Sequence, residues 1–178
     1  MKLNIGCGEF PLKGFINLDA IPRTYVDVIA DLYYGLPFKD NSFDVVYAGH
    51  VIEHLLYESA LNLLSEIYRV LKPGGLTYIV IPDILKMYSQ MDRATFAEAV
   101  CIGIPNTPFV EWYKSKDKTK EAVKLLHGVH KTAWTAERLY ECVKALPFRE
   151  VSIEPPIRSR CPYLVAEAPW QSVVFARK

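Results

Sequence analysis

Short apolar runs of strand length recur along the first half of the chain and return at its end. Each of the first five runs stops at Gly, Asp or Pro, which is typical of strands. The fifth run is almost continuously apolar, as expected for a strand buried on both faces. The pattern predicts seven strands, at residues 2–5, 15–18, 26–30, 43–48, 75–81, 148–153 and 171–176.

Helical periodicity is concentrated in the later two thirds of the chain. Apolar positions spaced three and four apart predict a helix at residues 57–71, which a Pro-Gly-Gly sequence follows. Asp83 is placed to cap a second helix running to about residue 100, and Thr135 a third over residues 136–145. Strands that alternate with helices indicate an α/β fold, in which ligands bind at the carboxyl ends of the strands.

Glycine or polar residues follow each of the first four predicted strands. Two glycines after the first strand let the backbone approach a ligand closely. A carboxylate after the second can accept hydrogen bonds from both hydroxyls of a ribose. An ordinary tight turn and a capping carboxylate would explain each residue singly, so the prediction rests on their coincidence. The candidates are Gly6, Cys7, Gly8, Asp19, Asp31, Leu32, Gly49 and His50.

Two common nucleotide-binding motifs are absent. The dinucleotide fingerprint G-x-G-x-x-G fails because Pro11 stands at the third glycine position. Asp19 also follows the glycines sooner than the roughly 20 residues expected for an NAD-binding acidic residue. The sequence has no G-x-x-x-x-G-K-[ST], which excludes a P-loop.

Five segments, in this order, resemble a known family. The first resembles motif I of the class I S-adenosylmethionine-dependent methyltransferases, and the others are similar to segments of the type 11 methyltransferase subgroup. The likeness is dense over residues 2–83 and only general beyond them. The segments are Leu3-Asn4-Ile5-Gly6-Cys7-Gly8, Ile16-Asn17-Leu18-Asp19, residues 36–44 (LPFKDNSFD), His50-Val51-Ile52-Glu53-His54-Leu55, and Arg69-Val70-Leu71-Lys72-Pro73-Gly74-Gly75.

The resemblance implies a fold, a cofactor and residue roles. The fold would be Rossmann-like, with a mostly parallel sheet of about seven strands, and S-adenosyl-L-methionine would be the cofactor. Residues 36–38 would form a structural turn before the fourth strand. The implied cofactor contacts are Gly6, Cys7 and Gly8 with the methionine part, Asp19 with the ribose, Asp31 and Leu32 with the adenine, and Gly49 and His50 with the sulfonium and methyl.

The chain departs from the family in its first half. The first strand begins at residue 2, and only short stretches connect the first three strands, so helices of the N-terminal half are reduced. Parallel neighbours normally need a crossover of a dozen or more residues. One sheet face would then lack helices, and we expect a homodimer partner or residues 101–130 to cover it.

Residues 50–54 also read H-x-x-E-H, a zinc-peptidase signature. A peptidase would place this motif inside a long helix, with another carboxylate ligand downstream. Here the motif follows a strand directly, and the other four family-like segments have no place in a peptidase. We therefore expect no metal, and we interpret His54 as a polar residue packed against its loop. The resemblance leaves one alternative open, because some quinone-biosynthesis methyltransferases hold a divalent metal at a Glu-His pair near this point. A zinc hydrolase is kept as an alternative.

Residues 101–131 are predicted to form a substrate-side insertion or lid, because they combine helix-breaking prolines, aromatic residues and a run of lysines. His127 and His130 stand near its end. A histidine can accept a hydroxyl proton near neutral pH, so His50 and His130 are the candidate catalytic bases. A solvated surface loop is the alternative interpretation of this segment.

Composition limits the partners and the compartment. The 178 residues carry a net charge of +1, so a broad basic surface for nucleic acid is not expected. No apolar stretch approaches the roughly 20 residues that a membrane helix needs, and we expect no membrane association. The four cysteines are widely spaced, which favours reduced thiols in the cytoplasm. The length suits a single domain spanning residues 1–178.

Together these features predict a methyltransferase. It would move a methyl group from S-adenosylmethionine to an oxygen or nitrogen of a small-molecule or glycan-type acceptor. The alternative from another functional class is a non-catalytic, cofactor-binding subunit of a larger complex, which the reduced N-terminal half makes reasonable.

Overall fold

A computed structural model describes residues 1–93 and 130–178. Its centre is one seven-stranded sheet, and all seven predicted strands are present, with ends shifted by a few residues. The strands are β1 (Lys2–Ile5), β2 (Ile16–Asp19), β3 (Val28–Ile29), β4 (Phe43–Gly49), β5 (Leu71–Pro82), β6 (Glu150–Glu154) and β7 (Gln171–Arg177).

The sheet order is β3-β2-β1-β4-β5-β7-β6. The first five strands in this order are parallel, whereas β7 runs antiparallel to both β5 and β6. The predicted mostly parallel α/β sheet is thus confirmed. The order reverses between β1 and β4, and ligands of such sheets bind beside that point.

Three α-helices lie wholly within the described residues: α1 (Tyr57–Val70), α2 (Ile84–Gln90) and α3 (Ala136–Lys144). Asp83 and Thr135 cap α2 and α3 as predicted, each accepting hydrogen bonds from first-turn amides. The prediction of one continuous helix beyond Gln90 is wrong, because the backbone at Met91 is extended and ends α2. Residues 94–100 of the predicted helix lie outside the described residues. None of the described helices is long and apolar enough to cross a bilayer.

One face of the sheet carries the main core. Alternate residues of β1 and β2, such as Leu3, Ile5 and Leu18, are fully buried there. Helices α1 and α3 cover this face with apolar stripes that include Ile67 and Leu139. Burial of such side chains stabilises the fold by about 1.5–3 kcal/mol each.

The opposite face of the sheet shows how a short β1–β2 connection can replace a helix. There β1 and β2 present Asn4 and Asn17, which are buried and hydrogen-bonded to each other at 2.9 Å. Asn17 also accepts a hydrogen bond from the amide of Leu12. Two buried asparagines therefore hold the β1–β2 connection on the sheet, where a longer chain would place a helix.

The same face is closed further along by the chain before β7. Cys161 and Leu164 are buried against Tyr47, Tyr78 and Val173 of the central strands. The expected cover by residues 101–130 falls almost wholly outside the described residues. The expected homodimer stays a prediction.

The predicted structural turn before β4 is present and is fixed from α1. The guanidinium of Arg69 donates hydrogen bonds to the carbonyls of Leu36 and Phe38. The Glu66 carboxylate accepts from the Leu36 amide at 2.8 Å and pairs with Arg69 at 2.7 Å. Two distant segments of the family-like pattern are thus parts of one structural unit.

Candidate functional site

The parallel strands bring the predicted site segments to one edge of the sheet. Gly6 follows β1, Asp19 ends β2, Asp31 follows β3, and Gly49 ends β4 with His50 next. Neighbouring ends are hydrogen-bonded, since the Cys7 amide donates to the Leu18 carbonyl at 3.0 Å and the Ala30 amide to Asp19 at 3.1 Å. Positions up to 44 residues apart in sequence are therefore adjacent in space.

The two glycines of the first turn have different reasons to be glycine. Both adopt positive φ, +60° at Gly6 and +53° at Gly8. A Cβ on Gly6 would lie 2.7 Å from a Val51 methyl, so packing requires glycine there. A Cβ on Gly8 would meet no atom within 4 Å. The space beside Gly8 is open, as a backbone cradle for a ligand should be.

Asp19 is the carboxylate nearest this cradle. Its Oδ2 accepts a hydrogen bond from the Gly8 amide at 2.8 Å, and its Oδ1 accepts from the Ile21 amide at 2.8 Å. Arg23 lies 3.5 Å from Oδ1. Each carboxylate oxygen can accept about two hydrogen bonds, so Asp19 keeps capacity for the hydroxyls of a ribose.

Asp31 and Leu32 follow β3, the strand beside β2 at this edge of the sheet. Asp31 caps a 3-10 turn, Leu32–Tyr34, by accepting a hydrogen bond from the Tyr33 amide at 3.0 Å. Leu32 is half-buried against the core. The two residues present a polar group beside an apolar surface, which suits the edge and face of a purine ring.

The end of β4 is strained at His50, which adopts a φ of +56°. Such values are uncommon outside glycine and occur at functional sites when the surroundings enforce them. Gly49 before it is required by packing, because a Cβ there would clash with the Tyr47 hydroxyl and ring.

Both ring nitrogens of His50 are engaged. The Gln171 side-chain amide donates to His50 Nε2 at 2.7 Å, and His50 Nδ1 donates to Glu53 Oε1 at 3.1 Å. With the amide nitrogen of Gln171 facing Nε2, that ring nitrogen accepts a hydrogen bond and Nδ1 carries the proton. His50 therefore holds the Glu53 carboxylate in place and has no free lone pair in this arrangement.

A cavity of about 410 Å³ opens beside the glycine turn. Ligand sites of proteins have volumes of roughly 300–1,000 Å³. The cavity is lined by residues at the carboxyl ends of β1 and β4 and by the chain that precedes β7. Asp19, Asp31 and Leu32 do not line it. Its residues include Gly6, Cys7, Gly8, Phe10, Tyr47, Gly49, His50, Glu53, His54, His130, Trp170 and Gln171.

Three histidines and one glutamate meet at the far side of this cavity. The rings of His54 and His130 lie 4.9 Å apart, centroid to centroid. Glu53 is buried with 1% of its surface exposed. The Glu53 carbonyl accepts hydrogen bonds from the amides of Lys131 and Thr132, at 2.7 and 3.1 Å, which fixes His130 beside the turn Ile52–His54.

Burial and charge act in opposite directions on this cluster. Burial opposes ionisation of Glu53, but the hydrogen bond from His50 and the neighbouring imidazoles keep its pKa below the usual value. Burial lowers the pKa of His130, although Glu53 opposes the shift. His130 is therefore neutral near pH 7, with a lone pair that can accept a proton or bind a cation.

Some functional candidates were missed and others fall outside the described residues. Trp170 and Gln171 were not predicted; the only sequence signal was a polar residue opening an apolar strand. The H-x-x-E-H segment forms a 3-10 turn, not the long helix of a peptidase. Residues 101–129 of the predicted lid, His127 among them, lie outside the described residues. Only His130 and Lys131 of that segment are placed.

Comparison with known proteins agrees with this geometry. A sequence profile of a methyltransferase domain matches residues 17–79. An uncharacterized protein of Methanocaldococcus jannaschii is 50% identical over 96 residues, covering 46% of this chain and 40% of that protein. A ubiquinone/menaquinone biosynthesis C-methyltransferase of Desulfotalea psychrophila is 48% identical over 40 residues, covering 22% of this chain and 15% of the relative. The chain thus spans less than half the length of these curated relatives.

Among solved structures, a methyltransferase from Archaeoglobus fulgidus, described as dependent on S-adenosylmethionine, shares the fold. The TM-score is 0.63 at 20% sequence identity, over 99% of this chain and 85% of that chain. The strand order, the motifs at the strand ends and the profile match agree with one another. In its fold, and over the residues that the profile matches, the chain is similar to methyltransferases that depend on S-adenosylmethionine.

Proposed function

We propose that this chain transfers the methyl group of S-adenosylmethionine to an acceptor held in the cavity beside β4. One observation carries the proposal: the carboxyl edge of the sheet places Gly8, Asp19 and Asp31 in a row that leads into that cavity. Gly8 leaves open space for a ligand, and Asp19 keeps acceptor capacity beside it. The residues present therefore fit the cofactor.

The cofactor would lie along this edge. The backbone of Gly6, Cys7 and Gly8 would contact the methionine part, and Asp19 the ribose hydroxyls. Asp31 and Leu32 would receive the adenine. Gly49 and the strained His50 would lie beside the reactive end, since they border the same cavity as the glycine turn.

The chain's own contribution to the reaction is alignment and exclusion of water. When bound, the cofactor supplies an electrophilic methyl group on a sulfonium, so no strong activation by the protein is required. Positioning of two reactants can lower a barrier by about 7–11 kcal/mol. His130, with its lowered pKa, can accept a proton from an acceptor hydroxyl, whereas His50 positions Glu53.

The acceptor is proposed to be a small molecule or the end of a glycan, methylated on oxygen or nitrogen. The cavity supports this size, because its volume of about 410 Å³ must also admit the methyl end of the cofactor. Imidazole and amide groups on the far wall suit a polar acceptor. The Desulfotalea psychrophila relative is named as a C-methyltransferase, which makes carbon the alternative acceptor atom.

The proposal includes three predictions from the sequence, on the extent of the domain, the lid and the cellular compartment. Residues 1–178 would act as one domain, with residues 101–131 closing over the acceptor. The chain would work in the cytoplasm with reduced thiols, in line with the free Cys7, Cys142 and Cys161. The alternative, a non-catalytic cofactor-binding subunit, predicts binding without turnover by the isolated chain.

Transfer of label tests the proposal. The purified chain is incubated with methyl-labelled S-adenosylmethionine and cell extract separated into small-molecule, glycan and protein fractions. We expect label in the small-molecule or glycan fraction with wild type. At cofactor concentrations below the wild-type dissociation constant, we expect about 10- to 100-fold less label with Asp19→Asn. The ¹³C chemical shift of the transferred methyl group would distinguish attachment to carbon, nitrogen or oxygen. Cofactor binding without labelling of any fraction would favour the non-catalytic alternative.

A further inference from the structure

Glu53, His54 and His130, which line the cavity on the side away from the glycine turn, have the spacing of metal ligands. Glu53, His54 and His130 each offer one ligand atom, and these atoms all lie within 4.8 Å of one another. Around a tetrahedral zinc ion with bonds of about 2.1 Å, ligand atoms lie roughly 3.4 Å apart. A shift of the side chains on the order of 1 Å would therefore close the site around an ion.

A second observation points to a missing ligand. Glu53 is 1% exposed, and while its Oε1 accepts from His50, its Oε2 has no hydrogen-bond partner in the described part of the chain. His54 Nδ1 is likewise buried and unpartnered among those residues. Burying a carboxylate oxygen without a partner is costly, and a cation would satisfy it.

The three side chains are held together by the backbone. Besides the two amides that bind the Glu53 carbonyl, the Thr132 hydroxyl donates to the carbonyls of Ile52 and Leu55, at 3.3 Å each. The Trp134 indole donates to the same hydroxyl at 2.8 Å. Lys131 and Thr132, which follow His130, are thus hydrogen-bonded to the turn that contains Glu53 and His54.

We infer that Glu53, His54 and His130 bind one divalent transition-metal cation, with Zn²⁺ the best-matched probe. Two imidazoles and one carboxylate are the ligand set of several catalytic zinc sites, in which a fourth position stays open. His50 would orient the Glu53 carboxylate from behind, and Gln171 would orient His50, as outer partners of metal ligands do. This site differs from the His50–His54 pair of the H-x-x-E-H motif.

The open position would face the cavity proposed for the acceptor, because all three ligands line that cavity. An oxygen of the acceptor could bind there, and His130 would then serve as a ligand instead of a base. This role of the cation rests on the proposed function. Binding of the cation itself does not, and the two can be measured separately.

The test is a metal titration of the full chain after chelator treatment. We expect one equivalent of Zn²⁺ by calorimetry and elemental analysis, with Mg²⁺ at least about 100-fold weaker, because nitrogen ligands disfavour Mg²⁺. Co²⁺ should give the visible absorption of a low-coordinate site. His54→Asn and His130→Asn should each weaken Zn²⁺ binding about 100-fold or more, and His50→Asn about 10- to 100-fold.

The matched control is Glu58→Gln, which removes an exposed carboxylate on the first turn of α1 and should bind Zn²⁺ like wild type. Each protein is also checked for its unfolding temperature and titrated with S-adenosylhomocysteine. Stoichiometric Zn²⁺ binding that survives both His54→Asn and His130→Asn would overturn the inference. So would absence of Zn²⁺ binding by wild type that binds S-adenosylhomocysteine, a result that leaves the proposed function standing.

Discussion

Individual residues of the first turn divide between packing and binding roles. Cys7 stands between Gly6 and Gly8 with its side chain 4% exposed. Burial, with a smaller contribution from the negative charge of Asp19, raises the pKa of the Cys7 thiol to about 11. At pH 8 the thiol is protonated, and only the thiolate is a nucleophile.

Cys7 should therefore resist alkylation. With a pKa of about 11, the thiolate fraction of Cys7 at pH 8 is roughly 100-fold below that of an ordinary thiol. We expect iodoacetamide to modify the half-buried Cys142 before Cys7, as measured by peptide mass spectrometry over time. Cys7 labelling should rise in denaturant. Fast labelling of Cys7 in the native chain at pH 8 would contradict the described packing.

The two glycines predict separable effects. Gly6→Ala should destabilise the fold by about 1–3 kcal/mol, because it combines positive φ with a clash against Val51. Gly8→Ala meets open space, so it should lose only about 1 kcal/mol of stability, from the backbone strain, but weaken S-adenosylhomocysteine binding about tenfold or more. Thermal unfolding and calorimetry measure the two effects. Equal binding by Gly8→Ala and wild type would remove Gly8 from the site.

At the scale of elements, Asp83 connects three parts of the fold at the carboxyl end of β5. It is 3% exposed and caps α2 through Oδ1. Its Oδ2 accepts from the Ala136 amide at 3.2 Å and from the Ser172 hydroxyl at 2.8 Å. The starts of α2, α3 and β7 therefore depend on one carboxylate.

Asp83→Ala should lose about 3 kcal/mol of stability, because it leaves several buried donors without an acceptor. For a chain of 150–250 residues this corresponds to a melting temperature about 6–12 °C lower. Asp83→Asn keeps one oxygen acceptor and should lose less. Calorimetric melting of both variants checks the prediction, and an unchanged melting temperature in Asp83→Ala would contradict it.

Elements also show what the sequence could and could not predict. The strands, α1 and α3 were predictable because their periodicity and caps are local properties. The end of α2 was not, since nothing in the sequence marks the extended turn at Met91. The pairing of Asn4 with Asn17 and the approach of His130 to His54 depend on tertiary contacts between distant segments, which a pattern in one chain does not reveal.

At the scale of the whole molecule, a cofactor that binds only the folded chain must stabilise it. At a ligand concentration 100 times the dissociation constant the gain is about 2.7 kcal/mol. We expect S-adenosylhomocysteine at that excess to raise the melting temperature by about 5–10 °C. Adenosine monophosphate, which lacks the homocysteine part, is the matched ligand and should raise it less.

The most direct test of the central claim is calorimetric titration of S-adenosylhomocysteine into wild type, Asp19→Asn and Asp40→Asn. Asp40 is an exposed carboxylate before the amino end of β4, paired with Arg69, so its loss should leave binding unchanged. We predict saturable one-to-one binding to wild type and about 10- to 100-fold weaker binding to Asp19→Asn, because charged hydrogen bonds contribute about 1.5–3 kcal/mol. A folded wild type that does not bind, or equal binding by all three proteins, would contradict the assignment of this edge of the sheet as the cofactor site.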